Sequence, residues 1–433
     1  MNLRLISLIL PILLLDACRE QEQQSNSMAS AIDRDTTMQI SETAATVQNP
    51  FFVESPLYMN YPQFDLITNE HYLPAFERGM AEHLIEVETI ALRMEVTSFE
   101  NTIIALELAG DLYARVASVF FAMSSAHTNE KIQALAQQLA TEIAAHEDAI
   151  LLNRELFAKI HSLHEQRESL ELDEESKRLL EDYYVDFIRA GAGLDVDEQE
   201  RMKELNAQIA VLETQFSQNI LSEVNDLAIV VDTREELTGL SEARKDAAAE
   251  EAAERGLNGK FVIPLLNTSG QPTLVRLQNR NLRERIHTTS LSRGSRGGEF
   301  DNREILSDVM RLRAERAQLL GYANHAEYIL ENQTAQTVAA VNQRLGELTP
   351  AAVANATREA SDLQQIIAED GQDFELASWD WDFYTEKLRV DRYDFDVNQL
   401  RPYFELDNVL QKGVFFAAEK LYGITFQERT DLP

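Results

Sequence analysis

Two histidines one helical turn apart, with a glutamate directly after the first, can hold a zinc ion and activate its bound water for hydrolysis. The chain begins this H-E-x-x-H pattern twice. His146 is followed by Glu147, but Ile150 stands where the second histidine is required. His164 is followed by a glutamate as well, but Glu168 stands at its second-histidine position. Neither place is therefore a zinc-hydrolase site of this kind.

The other histidines offer weaker alternatives. His161, His164 and Glu168 share one face of a predicted helix and could form an improvised metal site, but their polar neighbours favour a solvated helix surface. The remaining histidines are scattered, and each is more typical of a core or surface position than of a catalyst: His71, His83, His127, His287 and His325. The G-x-S-x-G pattern of a nucleophilic serine does not occur.

Two short segments have the residue types of ligand contacts. In the glycine-rich run from 293 to 298, Arg293 and Arg296 could grip a peptide carboxylate in a fork geometry. That run lacks the GKS or GKT ending of a phosphate loop and is also typical of a turn between helices. Trp379 and Trp381, the two tryptophans of the chain, either anchor a core at a helix start or line a ligand cleft. These four residues are the candidate channel or substrate contacts.

Helices must position these residues, because the chain is poor in helix breakers. Only 16 glycines and 10 prolines occur in 433 residues, and strong helix formers dominate the middle. The fold class is predicted as mostly α, a large multi-helix lobe with a small β element at 228–231 and 260–266, to which Thr273–Leu277 could pair back. Apolar residues at helical spacing predict the main helices at 64–90, 101–125, 150–163, 175–190, 198–224, 302–320 and 338–369.

The N-terminus has the features of an export signal. Residues 1–17 combine an early Arg4 with an apolar run that is too short, and too interrupted by Pro11, for a stable membrane span. Cleavage before Cys18 and lipidation of Cys18 would resemble a bacterial lipoprotein, although Asp16 departs from the usual small or apolar residue. An ordinary signal peptide with an incidental cysteine is the alternative. The lipoprotein interpretation predicts export, an outer-membrane anchor facing the periplasm, and a flexible lipid-anchored tether over 18–48.

Charge and cysteine content narrow the function classes. The net charge of −34 disfavours nucleic acid and anionic lipid as partners, so membrane contact is expected only through the lipid anchor. A single cysteine excludes an internal disulfide.

From 49 to 433 the sequence resembles the N-terminal portion of a peptidyl-dipeptidase, within the thimet-oligopeptidase-like family of zinc metallopeptidases. The resemblance is carried by long stretches in the same order along nearly the whole region. They are NPFFVESPLYMNYPQFDLI, SFENTIIALE, GKFVIPLLNTSGQPTL, SRGSRGGEFDNREIL, RAERAQLLGYANHAEYIL, SWDWDFYTEKLRVDRYDFDVNQLRPYFELDNVL and GVFFAAEKLYGITFQERTDLP.

The resemblance implies a two-lobed, nearly all-helical fold with a deep channel that admits short peptides and releases dipeptides from their C-terminus. It also implies zinc, held by the two histidines of an H-E-x-x-H helix and a later glutamate. In the family that helix follows the segment resembling Gly413–Pro433, so no catalytic residue and no metal ligand of the family falls on this sequence. We therefore expect zinc only in the complete enzyme. The region 49–433 is expected to be inactive until a C-terminal zinc lobe, from the same gene or a separate chain, joins it.

A non-catalytic helical lipoprotein that binds peptides or acts as a scaffold is the competing hypothesis. Part of an enzyme should expose a large apolar face to its absent partner, whereas a self-contained module should unfold cooperatively as a monomer.

Overall fold

The computed structural model describes residues 49–268, 270–393 and 397–432. The predicted signal peptide (1–17), the lipidation site Cys18 and the tether (18–48) lie outside the described residues. Within the described ranges, no helix is both long enough and apolar enough to cross a membrane.

Helices dominate the described residues, and the mostly α fold class with its small β element is confirmed. The helices and strands, in chain order, are α1 Asn69–Ala91, α2 Ala105–Leu108, α3 Asp111–Ala126, α4 Glu130–Leu151, α5 Arg154–Glu165, α6 Glu174–Ala190, α7 Val196–Asp226, β1 Ile229–Val231, α8 Glu242–Glu254, β2 Phe261–Ile263, α9 Arg280–Leu291, α10 Arg303–Leu319, α11 His325–Leu330, α12 Val338–Glu369, α13 Trp381–Tyr393, α14 Leu406–Val409 and α15 Phe416–Tyr422. Short 3₁₀ or π turns lie between several of them.

The chain divides into two compact units. The described residues up to Gln218, with Leu432, form the first unit, and the described residues from Asn219 to Asp431 form the second. The boundary between the units falls inside the long helix α7. The apolar spacing that predicted a single helix there did not indicate this boundary.

The core of the first unit is built where α1 packs along α3. Tyr72 and Phe76 of α1 meet the ring of Phe120 edge-to-face, at centroid distances of 5.2 and 5.3 Å. Such pairs contribute about 0.5–1.5 kcal/mol beyond the burial of their area. At Gly79 the two backbones come so close that a Cβ atom would lie 2.9 Å from Cα of Tyr113. A side chain at this position would therefore separate the two helices.

The single helix predicted over 101–125 is wrong, because the chain breaks between α2 and α3. Gly110 has a left-handed φ of +75°, and its N–H donates to Oε2 of Glu86 at 2.7 Å. A Cβ atom at Gly110 would lie 2.7 Å from the His83 ring. The break therefore brings backbone directly against a buried histidine of α1.

The sheet of the second unit has two antiparallel strands, with Val230 opposite Val262. The predicted strand Thr273–Leu277 is wrong, since Pro272–Val275 forms a 3₁₀ turn. The side chain of Gln271 explains the difference. Its Nε2 donates to the carbonyl of Leu266 at 3.0 Å, and its Oε1 accepts from the Leu266 N–H at 3.1 Å. These bonds occupy the backbone groups that a returning strand would need.

Replacing Gly79 by alanine tests the close α1–α3 contact. Alanine gains up to about 1 kcal/mol in helix propensity, but overpacking costs about 1–3 kcal/mol, so we expect net destabilisation of roughly 1–2 kcal/mol. Gly346 of α12 is the matched control, because a Cβ there meets nothing within 4 Å. Gly346→Ala should raise stability slightly. Urea unfolding followed by circular dichroism measures both variants, and a stabilising Gly79→Ala would contradict the packing argument.

Candidate functional site

The described residues contain no group of three or more His, Cys, Asp or Glu side chains placed to hold a metal ion. The donor set needed for a zinc ion is thus not assembled within these residues. His146 does not face the solvent: its ring is buried and lies against His83, with His83 Nδ1 and His146 Nε2 3.1 Å apart. The sequence indicated only a core or surface position for His83 and did not pair it with His146.

The improvised site at His161, His164 and Glu168 is not assembled. His164 Nε2 lies 2.6 Å from a carboxylate oxygen of Glu181, and its ring stacks on Tyr184 at a centroid distance of 3.8 Å. His161 and Glu168 are near other partners, at 3.6 Å from Glu165 and 3.9 Å from Arg167 respectively. The solvated surface preferred from sequence is only partly right, because the His164 side chain is mostly covered by α6.

The two tryptophans flank a buried ion cluster at the start of α13. Between them, Asp380 has no exposed side-chain surface and receives three hydrogen bonds from Arg280 at 2.8–3.1 Å. Arg283, also fully buried, donates to the same carboxylate at 2.8 Å. This Arg280–Asp380–Arg283 cluster fastens the start of α13 to α9.

The tryptophan side chains lie around this cluster. The Arg280 guanidinium is 4.1 Å from the ring centroid of Phe374 and 5.5 Å from that of Trp379. Trp381 packs beside the small core that contains Leu363 and Tyr384. Trp381 therefore has the core contact that the sequence left open, and the role of both tryptophans as ligand contacts stays a prediction.

The electrostatics of Asp380 follow from its surroundings. Burial by itself would raise the pKa of this carboxyl, but the hydrogen bonds from Arg280 and Arg283 outweigh it, so the net pKa lies below its usual value. The carboxylate is thus charged at neutral pH. Sequence reasoning missed the cluster, although two arginines three apart on one helix were a usable signal.

The glycine-rich run holds one of the protein's own carboxylates. Glu223 of α7, which is buried, accepts from Arg296 Nε at 3.0 Å and from the backbone N–H of Gly294. Arg293 instead donates to the backbone carbonyls of Leu266 and Thr268. The structure therefore does not join Arg293 and Arg296 around one anion, and their role in gripping a peptide carboxylate stays a prediction.

Comparison with known proteins identifies the family of part of the chain and several of its relatives. The profile of peptidase family M3 matches residues 273–433, which include α9, the ion cluster and α13. Dipeptidyl carboxypeptidase of Escherichia coli is 42% identical over 388 residues, covering 90% of this chain and 57% of the relative. Residues 273–433 belong to peptidase family M3. The family resemblance inferred from sequence is thereby confirmed.

Two other relatives match the chain over a similar length. Dipeptidyl carboxypeptidase of Salmonella typhimurium is 40% identical, covering 89% of this chain and 57% of the relative. Oligopeptidase A of the same organism is 27% identical, covering 87% of this chain and 56% of the relative. The chain thus spans little more than half the length of these relatives.

Replacing Asp380 by asparagine tests the ion cluster of this M3 chain. The change leaves the buried Arg283 and the partly exposed Arg280 without their counter-charge, and we expect the second unit to lose about 3–5 kcal/mol of stability. Both tryptophans flank the cluster, so their fluorescence during urea unfolding reports the loss directly. The exposed Asp382 is the matched control, and Asp382→Asn should change stability by less than about 0.5 kcal/mol. Equal effects of the two changes would refute the cluster as an anchor.

Proposed function

We propose that this chain supplies part of a zinc-dependent M3 peptidase that releases C-terminal dipeptides from short peptides. The observation that carries the proposal is its 42% identity to the dipeptidyl carboxypeptidase of Escherichia coli over 90% of this chain. The name of that relative states its activity. The agreement spans both compact units, so it concerns the scaffold as a whole rather than one local motif.

Zinc is assigned to the complete enzyme in this proposal. The sequence contains no H-E-x-x-H, and the residues described do not assemble a zinc donor set. The relatives extend well beyond the length that this chain matches, since 57% of the Escherichia coli protein is covered. We place the zinc ligands and the general base in that unmatched length, which makes this chain inactive by itself.

An apolar stripe on α12 supports the proposal that another part of the complete enzyme packs against this chain. Val338, Val341, Leu345 and Leu348 follow each other at spacings of three and four, which puts them on one helix face. Leu345 and Leu348 are 56% and 51% exposed. Contiguous apolar surface of this kind marks interaction sites in soluble proteins.

The segment after α13 adds to this surface. Its large apolar side chains are more than half exposed in many places, among them Tyr403, Phe404, Leu406, Val414, Phe416, Leu421 and Tyr422. A self-contained scaffold would gain about 25 cal/mol for each Å² of apolar surface it removed from water. The exposure therefore favours part of a peptidase over the alternative of a non-catalytic helical lipoprotein. Export and anchoring through Cys18 remain a proposal that rests on sequence alone.

An assay of dipeptide release tests the proposal that the zinc ligands and the general base lie outside this chain. The purified chain, supplied with zinc and an N-terminally blocked pentapeptide, should release no dipeptide detectable by mass spectrometry. Co-expression with the unmatched part of the Escherichia coli relative should yield a complex that releases the C-terminal dipeptide. Tight stoichiometric zinc on the chain alone, or release by the chain alone, would overturn the assignment of zinc to the absent part.

Charge placed on the α12 stripe tests the docking surface. Leu345→Asp with Leu348→Asp should prevent the complex and abolish release, because charge at the centre of an apolar interface is costly to desolvate. Gln343→Asp with Ala354→Asp adds the same charge to the opposite face of α12. This control should leave the complex and its release of dipeptide unchanged. A soluble complex of wild-type parts that releases no dipeptide would refute the proposed activity.

A further inference from the structure

Two buried imidazoles join helices in the first unit. His83 of α1 and His146 of α4 are only 3% and 4% exposed, and His83 Nδ1 lies 3.1 Å from His146 Nε2. Tyr113 of α3 closes the group, with its ring centroid 4.7 Å from that of His146. One contact between two titratable rings therefore lies where α1, α3 and α4 meet.

The contact between His83 and His146 can accommodate only a limited number of protons. A hydrogen bond between two ring nitrogens needs one N–H and one lone pair, which two neutral imidazoles supply. Among the residues described, the outer nitrogens, His83 Nε2 and His146 Nδ1, have no hydrogen-bond partner. A first added proton creates a buried cation with no acceptor on its outer nitrogen, and a second leaves two N–H groups facing each other. Protonation at low pH therefore destabilises the contact between His83 and His146.

The acidic groups around the pair offset this charge only in part. Glu86 of α1 favours a charged His83, but its carboxylate also accepts from the N–H of Gly110 at 2.7 Å. On α4, burial and the neighbouring Asp148 raise the pKa of Glu147 to about 8, so Glu147 is mostly neutral at pH 7. Asp148 is itself bound by Asn206 at 2.7 Å.

Burial dominates the titration of the pair. It lowers the pKa of His83 and, together with the nearby His83, lowers the pKa of His146 to about 4. Burial and Glu147 raise the pKa of Tyr113, which stays neutral throughout this range. Both rings are therefore neutral in the folded protein at pH 7.

We propose that the His83–His146 pair is an acid-sensitive joint, which holds α1 and α4 together while both rings are neutral and releases them on protonation. The direction of the pH effect follows from the difference in proton binding between the folded protein and the opened chain. Both pKa values are lower in the folded protein than in an opened chain, so the opened chain binds more protons below its histidine pKa of about 6.5. The pair therefore contributes less to the stability of the first unit as the pH falls from about 6.5 toward 4, while the raised pKa of Glu147 acts in the opposite direction and offsets part of this loss. The opening equilibrium constant rises up to about tenfold per pH unit for each histidine.

Hydrogen exchange measured by mass spectrometry between pH 7 and pH 4 tests the joint in the full chain. After correction for the intrinsic pH dependence of exchange, peptides of α1 and α4 should lose protection steeply below about pH 6. Tryptophan fluorescence reports only the second unit, where both tryptophans lie, and should show no matching transition. Parallel loss of protection and fluorescence would overturn a joint confined to the first unit.

His146→Gln removes one titrating ring and should reduce the pH dependence of α1 and α4 protection by up to about tenfold per pH unit. His127→Gln, at an exposed position of the same unit, should leave it unchanged. Imidazole NMR of the unaltered chain provides a readout that does not depend on any variant folding. Two of the eight histidines should stay neutral until the helices open, and ordinary titration of all eight near pH 6.5 would refute the proposal.

Discussion

A fully desolvated carboxylate requires positive charge against it, and the start of α13 is organised around this requirement. Asp380 has no exposed side-chain surface, and Arg280 and Arg283 of α9 enclose it. Arg283 also donates to the carbonyls of Leu277 and Gln278 at 2.9 and 3.1 Å. One aspartate thus joins α9, the turn before it and α13. Loss of Asp380 would leave the buried Arg283 without its counter-charge.

The same constraint recurs elsewhere in this acidic chain. Glu386 of α13 pairs with Arg276 at 2.7 Å, which fastens the helix a second time, and with Arg389 of the same helix at 2.7 Å. Glu223 is enclosed by the glycine-rich run, where the small residues let backbone N–H groups approach a carboxylate. With a net charge of −34, cations are scarce, and the buried acids hold several of the arginines. The arginines that looked available for a ligand are therefore partly committed to the fold.

The first unit also buries two imidazoles that share a hydrogen bond, His83 and His146. For these two rings, neutrality replaces ion pairing as the condition for burial. This arrangement is sensitive to pH, whereas a carboxylate enclosed by guanidinium groups is charged over a wide pH range. We therefore expect acid to act on the His83–His146 contact at a pH where the Asp380 cluster is still charged.

The sequence by itself determined the helical class, most helix positions and the resemblance to a family of zinc metallopeptidases, because apolar periodicity and long ordered motifs are local properties of the chain. It did not determine the break at Gly110 or the loss of the predicted strand at 273–277, since Glu86 and Gln271 act there through side-chain contacts with backbone groups. Tertiary structure alone decided that Asp380 meets Arg280 and that His146 meets His83. These partners lie 100 and 63 residues apart, and no local pattern specifies which buried polar group will satisfy another at such a separation.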